Sequence, residues 1–343
     1  MIADFEKCLQ YFACPYCKGD LEFIRGNEGT YICRKCDKKY PIIDSIPRFI
    51  EVDKEILNKA KDHWENSPNF QYEAKSQLYS KEYYEEQDKW REMDVDPFSL
   101  HEYQFNQIQN KIILDIGCGS GWVIKSAAKN GAFPIGVDFS EKAVLSTSGA
   151  LKAYNLEGLV LQADAEYLPI KSKVIERVYS IGVLHHIPDT VLGISEAYRV
   201  LKDNGTGFIS LYGKLFFFNP ILFPIATFFL RLLLKAPAIR DGIQHTKNYD
   251  EFYRYMDGHS NPIGRWYTNE ELSCLFSEFR IISQSKSHFP LRYLKIGSFN
   301  IKNVMPRIIH KILERHFGMM RNYQLLKSDN RKSSLSNFQE KKT

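Results

Sequence analysis

The sequence predicts an α/β chain in which a doubly wound, mostly parallel sheet follows a small metal-binding module. Three observations predict this fold class. Two CxxC pairs stand near the N-terminus, short apolar runs alternate with amphipathic segments from Lys111 onward, and a glycine-rich loop follows the first of these runs. The chain has 343 residues, of which 44% are hydrophobic and 25% charged, and these values exclude a disordered or collagen-like protein.

The first element is the metal-binding module. Cys14 and Cys17 form one CxxC pair, Cys33 and Cys36 form the other, and fifteen residues separate the two pairs. This spacing is typical of structural zinc sites, in which four thiolates close a tetrahedron and leave no position for a catalytic water. A pair of redox-active dithiols is the alternative interpretation. Metal binding would supply folding energy that so short a segment cannot obtain from its own core.

The residues around these cysteines carry a resemblance to a known family. The runs LQYFACPYCKGDLEF and YICRKCDKKYPIIDSIPRFI resemble the small zinc-ribbon family whose members activate tRNA, rRNA and protein methyltransferases as partner subunits. The resemblance implies a zinc ribbon over residues 8–50, with structural Zn²⁺ on the four cysteines. It does not imply an activity of the ribbon by itself.

Residues 51–104 are predicted to form a helical linker. Residues 51–110 contain 7 basic and 14 acidic groups with tyrosines and tryptophans among them, and no glycine interrupts the stretch. Two interpretations stay open. The helices pack their aromatic faces against the following domain, or they form a lid whose rings flank a positively charged ligand.

The sheet domain begins after this linker. Alternation of short apolar runs with amphipathic segments predicts parallel strands covered by helices. Strands are predicted at residues 111–116, 133–137, 159–162, 174–180 and 207–211. Helices are predicted at residues 121–130, 141–154 and 191–201.

The loop after the first strand reads Asp115-Ile-Gly-Cys-Gly-Ser-Gly121. Glycines let the backbone turn sharply and approach a ligand without a Cβ in the way. A dinucleotide fingerprint needs glycine where Trp122 stands, and no GxxxxGK[ST] phosphate loop occurs, so the loop favours an adenosyl ligand without phosphates. Asp138 ends the second strand, where a carboxylate can accept both ribose hydroxyls, and Asp164 follows the third strand, where it can meet the adenine amine.

Five motifs then occur in a characteristic order. The runs ILDIGCGSG, IGVDFS, QADAEYLPI, VYSIGVLHHIPD and EAYRVLKDNG, within about residues 105–213, resemble the class I S-adenosylmethionine-dependent methyltransferases. The resemblance implies a Rossmann-like fold, S-adenosylmethionine as the cofactor, and methyl transfer as the activity. The candidate cofactor-binding residues are Asp115, Gly117, Cys118, Gly119, Gly121, Asp138, Phe139, Asp164, Ala165 and Ser180.

His185 and His186 follow the fourth strand, on the side of the sheet where an acceptor should lie. A neutral imidazole can take a proton from an acceptor hydroxyl or thiol, so both are candidate catalytic residues, and His185 is slightly favoured. The alternative is that one of the two histidines caps the loop or packs beneath it.

An acceptor-side insert is predicted at residues 214–265, within a methyltransferase domain assigned to residues 105–300. Sixteen uncharged residues after Lys214 would span roughly 24 Å as a helix, short of a bilayer core of about 30 Å, so we expect no transmembrane span. A lid over an apolar acceptor pocket, contact with a membrane surface, and a buried helix pair remain alternatives.

The end of the domain carries further signals. Thr268 and Glu271 predict a capping box before a helix, and RIISQ is predicted to supply the sixth strand. Residues 301–343 are predicted as a basic C-terminal extension, because residues 286–343 contain 13 basic and 3 acidic groups while the whole chain has a net charge of only +5. Such a segment can contact RNA or an anionic membrane, or be an ordinary solvated surface. Candidate acceptor-lining residues are His259, Arg265, Tyr267 and His288.

The sequence therefore predicts an S-adenosylmethionine-dependent methyltransferase that acts on a small, apolar or lipid-like acceptor. Two alternatives stay open: an RNA methyltransferase that docks through the ribbon and the basic segment, and a non-catalytic adaptor that binds the cofactor. The N-terminus MIADFEKCLQ lacks a secretory signal and the cysteine usage fits a reducing compartment. A cytoplasmic location, with or without peripheral membrane contact, is the expectation.

Overall fold

The computed structural model shows two main sheets of different construction, joined along one edge, and a short two-stranded hairpin. It describes residues 4–26, 28–50, 55–66, 75–95, 97–233, 246–258, 260–289, 295–296, 299–301 and 304–328. The smaller sheet is the N-terminal ribbon, and the larger one forms the α/β domain.

The ribbon is a four-stranded antiparallel sheet in the order β1-β2-β3-β4. Its strands are too short to bury much apolar surface by themselves, which agrees with the expectation that four cysteines hold the segment together. The aromatic rings of Tyr31, Tyr40 and Phe49 pack beneath the sheet with centroid separations of 4.9 to 5.7 Å. The strands are β1 Leu21–Ile24, β2 Thr30–Cys33, β3 Lys39–Ile43 and β4 Ile46–Pro47.

The larger sheet has seven strands in the spatial order β7-β6-β5-β8-β9-β13-β10. The first five strands of this order run parallel, and β13 is antiparallel to both of its neighbours. The five predicted parallel strands are confirmed; four of them agree within one residue at each end, and β9 begins six residues earlier than predicted. The strands are β5 Ile112–Ile116, β6 Phe133–Asp138, β7 Leu159–Gln162, β8 Ile175–Ile181, β9 Leu201–Tyr212, β10 Phe279–Ser287 and β13 Met320–Lys327, while β11 Lys295–Ile296 and β12 Phe299–Asn300 form a separate hairpin.

The predicted end of the sheet domain at residue 300 has to be corrected. Strand β13 lies between β9 and β10, and Tyr323 in its centre pairs with Ile209 on one side and Gln284 on the other. The Lys327 ammonium is buried and donates to the carbonyls of Tyr198 and Leu201. The chain up to this lysine is therefore part of the sheet domain, and some of the basic charge that suggested an extension is internal.

Helices cover both faces of the larger sheet and continue into the insert. Their starts follow ordinary capping rules: Ser140, Asp189 and Thr268 each accept a backbone N–H of the first turn, and the predicted capping box of Thr268 with Glu271 is present. No helix within the described ranges has the length and apolar character that a bilayer crossing requires. The helices are α1 Glu55–Asn66, α2 Lys81–Trp90, α3 Trp122–Lys129, α4 Glu141–Ala153, α5 Thr190–Val200, α6 Leu222–Leu233, α7 Tyr249–Met256, α8 Asn269–Leu275 and α9 Arg307–Phe317.

The ribbon docks on the edge strand β7 and continues the larger sheet. Arg48 and Gln162 form a parallel bridge, and the Phe49 amide donates to the Gln162 carbonyl at 2.7 Å. Phe12 of the ribbon forms a second bridge to Ile170 and shares one apolar core with the sheet domain. The ribbon thus covers an edge that would otherwise expose unpaired backbone groups.

Candidate active site

A cavity of about 790 Å³ opens at the carboxyl ends of β5, β6 and β8, as expected for a parallel sheet. Its volume lies within the usual range of ligand pockets. We call one part the cofactor end; it is formed by Asp115, Gly117, Cys118, Gly119, Ser120, Asp138, Phe139, Asp164 and Ala165. We call the other part the acceptor end; it is formed by His186, Ser210, Tyr212, Met256, Asp257, Ser287, His288, Met319, Met320 and Asn322.

The glycine loop shapes the cofactor end. Gly117, Gly119 and Gly121 all have positive φ, between 53° and 83°. A Cβ at Gly117 would lie 2.2 Å from a methyl group of Val183, whereas a Cβ at Gly119 would meet nothing within 4 Å. Gly117 is therefore required by packing, and Gly119 leaves open space in which a ligand can approach the backbone.

Asp138 is fixed by the loop backbone. Its Oδ2 accepts the Gly119 amide at 3.0 Å and its Oδ1 accepts the Ser140 amide at 2.9 Å. Burial raises the pKa of this carboxyl, and the backbone N–H donors oppose that shift. Each oxygen uses one lone pair on the backbone, so each can accept a further hydrogen bond, as two ribose hydroxyls would require.

Asp115 lies at the end of β5 with 2% of its surface exposed. Burial raises the pKa of this carboxyl well above its usual range, and the nearby Arg91 guanidinium opposes the shift. Arg91 also lies over the Trp122 ring at 4.5 Å and lines the cavity. This part of the cavity therefore puts the Arg91 guanidinium and the Asp115 carboxyl within reach of the same ligand group.

The remaining predicted cofactor residues divide into two groups. Asp164 accepts the Glu166 amide at 2.9 Å, and it lines the cavity together with Ala165 and Phe139. Ser180 does not line the cavity, because its fully buried hydroxyl donates to the Ile116 carbonyl at 3.1 Å. Gly121 does not line it either; a Cβ there would lie 2.9 Å from Thr147, so this glycine allows α3 to pack against α4.

The two histidines have different surroundings. His185 is fully buried, neither ring nitrogen has a hydrogen-bond partner among the described residues, and it does not line the cavity. His186 lines the cavity, and its Nδ1 lies 2.7 Å from the Ile263 carbonyl. Burial lowers the pKa of His186 to about 4 and that of His185 well below its usual value. The geometry thus favours His186 over the slightly preferred His185 as the residue that can reach an acceptor.

Asp257 faces His186 and was not found from the sequence. The Asp257 Oδ2 lies 3.4 Å from the His186 Nε2, and the Asp257 Oδ1 accepts the Tyr212 hydroxyl at 2.8 Å. A carbonyl only accepts, so the neutral His186 ring carries its hydrogen on Nδ1 and turns the Nε2 lone pair toward Asp257. Burial raises the pKa of Asp257 to about 7, so both the carboxylic acid and the carboxylate are populated near neutral pH.

Helices α1 and α2 form the wall opposite the sheet. Trp64, Tyr79, Tyr83 and Trp90 from this segment line the cavity, and the Trp64 ring lies 5.1 Å from that of His186. Hydrogen bonds fix the helices to the domain: Tyr84 donates to the Ser146 carbonyl, Lys125 donates to Asp88, and Glu65 accepts two amides at the start of α4. Aromatic side chains thus both pack on the domain and face the cavity.

Two of the four candidate acceptor-lining residues have structural roles. The Arg265 guanidinium donates to the carbonyls of Ile187 and Pro188, and the Tyr267 hydroxyl donates to Thr190. His288 does line the acceptor end. His259 lies outside the described residues.

The four ribbon cysteines form one cluster. Their sulfur atoms all lie within 4.8 Å of one another, with pair distances of 3.4 Å for Cys17–Cys33, 3.5 Å for Cys17–Cys36 and 3.7 Å for Cys14–Cys36. A tetrahedral zinc with Zn–S bonds of about 2.3 Å has sulfur–sulfur edges of about 3.8 Å. All seven cysteines are free thiols, so the donor set fits one metal ion and contains no disulfide.

The strand order of the larger sheet is that of the class I methyltransferase fold. A glycine loop after β5 and acidic residues at the ends of β6 and β7 complete the features of this fold. Residues 114–209 match the family described as methyltransferase domain, and residues 9–45 match the family described as Trm112p-like protein. The chain thus carries a methyltransferase domain of that family behind a Trm112p-like domain.

Individual relatives are similar over part of their length. An uncharacterized chloroplastic methyltransferase of Arabidopsis thaliana is 26% identical over 57% of this chain and 60% of its own. A ubiquinone biosynthesis O-methyltransferase of Hydrogenovibrio crunogenus is 32% identical over 32% of this chain and 46% of its own, so the chain matches only about half the length of these relatives. A solved complex of the Haloferax volcanii Trm112 methyltransferase activator with a candidate methyltransferase is similar over 80% of this chain and 99% of its own, at 15% identity and a TM-score of 0.49.

Proposed function

We propose that this chain transfers a methyl group from S-adenosylmethionine to a hydroxyl or thiol of a small, partly apolar acceptor. The observation that carries the proposal is the single cavity that joins the glycine loop to the Asp257–His186 pair. One end offers backbone and carboxylate acceptors for an adenosyl ligand. The other end offers a proton acceptor in a mixed lining, in which three methionines are the apolar side chains. The O-methyltransferase relative supports the same reaction class.

The residues of the cofactor end fit this ligand without phosphate groups. Asp138 would accept the ribose hydroxyls, Asp164 and Ala165 would border the adenine, and Arg91 and Asp115 would meet the charged amino-acid end. Tyr and Trp rings of α1 and α2 would face the positively charged sulfur by cation–π attraction. When bound, S-adenosylmethionine supplies an electrophilic methyl group on a sulfonium.

At the acceptor end, the Asp257 Oδ2 takes the proton of the acceptor group, and the Nε2 lone pair of His186 faces the carboxyl that this transfer protonates. A general base is most effective when its pKa lies near the pH of the reaction, because it is then largely deprotonated and still binds a proton well. The Asp257 carboxyl, with a pKa of about 7, meets this condition near neutral pH. Tyr212 orients the other carboxylate oxygen. The aromatic wall excludes water, so much of the rate enhancement would come from alignment of the reactants in a dry site.

The direct test is transfer of a labelled methyl group into host lysate that is then separated into lipid, small-molecule, RNA and protein fractions. We expect the label in the lipid or small-molecule fraction. Label in RNA would instead support the RNA alternative, and loss of that label on removal of residues 329–343, beyond β13, would support docking of RNA on the basic segment. Unchanged calorimetric binding of S-adenosylmethionine by Asp138→Ala would contradict the assignment of the cofactor end.

We also propose that the cysteine cluster holds one structural zinc ion. The short ribbon strands and the closed set of four thiols support a folding role, because metal binding in such modules provides folding free energy. Purified protein should contain one zinc per chain, and Cys33→Ser should be lost from the soluble fraction. A matched Cys274→Ser change, outside the cluster on α8, should leave both unchanged. Folded protein that contains iron or no metal would contradict the proposal.

A further inference from the structure

Helix α9 is turned with its apolar side outward. Ile308, Ile309 and Ile312 are 71%, 43% and 51% exposed, whereas His310 and Glu314 are buried. The two buried polar side chains approach each other at 4.0 Å, and the His310 ring packs on Phe98. A surface helix ordinarily buries its apolar stripe, so this orientation indicates that something other than water covers the isoleucines.

Helix α6 presents a second apolar surface next to the first. On this helix Ile225 is 51% and Phe228 58% exposed, and Ile221, the residue before the helix, is 76% exposed. The ring of Phe216, in the segment that leads into this helix, lies 5.0 Å from the ring of Phe317, so the end of α9 contacts that segment. We call this combined surface the α6–α9 face.

Basic groups accompany the α6–α9 face. Lys311 and Arg315 are exposed on α9 between and beside the isoleucines. A pocket of about 340 Å³ lies beside Phe216 and Phe317, and its polar lining includes Lys214, Lys286, Arg321 and His316, with Glu270 as the one acidic side chain. The Arg321 side chain is 8% exposed, and its Nε has no hydrogen-bond partner among the described residues.

We infer that the α6–α9 face docks on an anionic lipid bilayer, with the isoleucines and phenylalanines among the acyl chains and the lysines and arginines at the phosphate groups. Apolar residues flanked by cations on one exposed helix face are typical of helices that lie in a membrane interface. A second protein surface could cover the apolar groups, but the cationic pocket beside them favours the charge pattern of lipid headgroups. Residues 317–321 connect this face to the acceptor end, which contains Met319 and Met320.

The test is co-sedimentation of the full chain with vesicles, in the absence of cofactor and acceptor, so that it is independent of methyl transfer. The chain should bind vesicles that contain one third phosphatidylglycerol at least about tenfold more tightly than vesicles of pure phosphatidylcholine. The double change Ile308→Ser, Ile312→Ser should lower binding to the anionic vesicles by at least about tenfold. The double change Lys311→Ala, Arg315→Ala should remove most of the preference for the anionic vesicles.

Ile282→Ser is the matched control, because Ile282 is 56% exposed on β10 and outside the α6–α9 face; binding should be unchanged. Circular dichroism should show that every variant is folded. Equal binding by the wild type and the isoleucine variant would overturn the inference, as would no vesicle binding by the wild type. A dimer in sizing experiments that the isoleucine variant converts to a monomer, without vesicle binding, would assign the face to a second copy of the chain instead.

Discussion

The two ends of the cavity are built in different ways. The cofactor end comes mainly from one continuous stretch: Asp115, Asp138 and Asp164 lie at or just after the ends of three successive strands, and backbone amides donate to the carboxyls of Asp138 and Asp164. The acceptor end joins His186 after β8, Tyr212 at the end of β9 and Asp257 from the insert. Backbone geometry thus fixes the first end, and long-range side-chain packing fixes the second.

This difference separates binding from chemistry. Ligand contacts at the cofactor end use groups whose positions depend on local turns, so substitutions there should change cofactor affinity. At the acceptor end a buried carboxyl with a raised pKa lies beside a buried imidazole, so substitutions there should change the rate and its pH dependence. The same cavity should therefore give two distinct kinetic signatures.

The largest effect is expected from Asp257→Asn. Asparagine keeps the size of the side chain and an oxygen for the Tyr212 hydroxyl, but it cannot take a proton. We expect kcat/KM for methyl transfer to fall by about 10²–10³-fold, with S-adenosylmethionine affinity changed less than about twofold. The matched change Asp138→Asn at the cofactor end should show the reverse pattern: weaker cofactor binding at nearly unchanged kcat. Equal losses of affinity in both variants would remove the distinction between the ends.

Glycine substitutions test the cofactor end next. Gly117→Ala should destabilise the fold by about 3 kcal/mol, because positive φ strain adds to a clash with Val183. Gly119→Ala has the positive-φ strain without a clash and should lower the free energy of unfolding by about 1 kcal/mol. Its methyl group enters the open space beside the loop, so S-adenosylmethionine binding should weaken about tenfold or more. Urea unfolding and calorimetry measure the two effects. Equal destabilisation, or full cofactor affinity in Gly119→Ala, would refute these roles.

The same contrast explains what the sequence could predict. The five parallel strands, the loop and the aspartates after the strands follow from local periodicity and glycine positions, and the structure confirms their arrangement. The cysteine cluster could also be predicted from the sequence, because each CxxC turn is local and only the number of residues between the two pairs had to match that of known zinc sites. Placement of a local motif needs no knowledge of the rest of the chain.

Long-range contacts set the limit. Strand β13 reads MRNYQLLK, which has a weak strand pattern, and 32 residues separate it from β10. Its position in the sheet therefore depends on its neighbours β9 and β10 rather than on its own sequence. Asp257 stands in YRYMDGHS, which has no motif; only its place in the predicted insert pointed to the acceptor side. Ser180 was assigned to the cofactor by resemblance, yet its hydroxyl turns toward β5.

The pH dependence of kcat/KM for methyl transfer should show an effect of intermediate size. Because burial raises the pKa of Asp257 to about 7, the carboxylate form that accepts a proton decreases as pH falls below 7. We therefore expect kcat/KM to fall about tenfold per pH unit below 7 and to reach a plateau above it. His186, with a pKa of about 4, stays neutral from pH 5 to 9 and adds no second step. The Asp257→Asn profile should be flat, and a wild-type rate that decreases above pH 7 would assign the acid form as the active one.

The smallest effect, and the sharpest comparison of the two histidines, comes from His185→Leu. The His185 ring lies 4.0 Å from that of Tyr212, but its nitrogens have no hydrogen-bond partner among the residues that the structure describes. Leucine removes a buried, unsatisfied polar group, so we expect stability to increase by about 1 kcal/mol and methyl transfer to change less than about twofold. His186→Leu, which breaks the pair with Asp257, should lower kcat about tenfold or more. If folded His185→Leu protein lost its activity, His185 rather than His186 would be the residue that supports proton transfer.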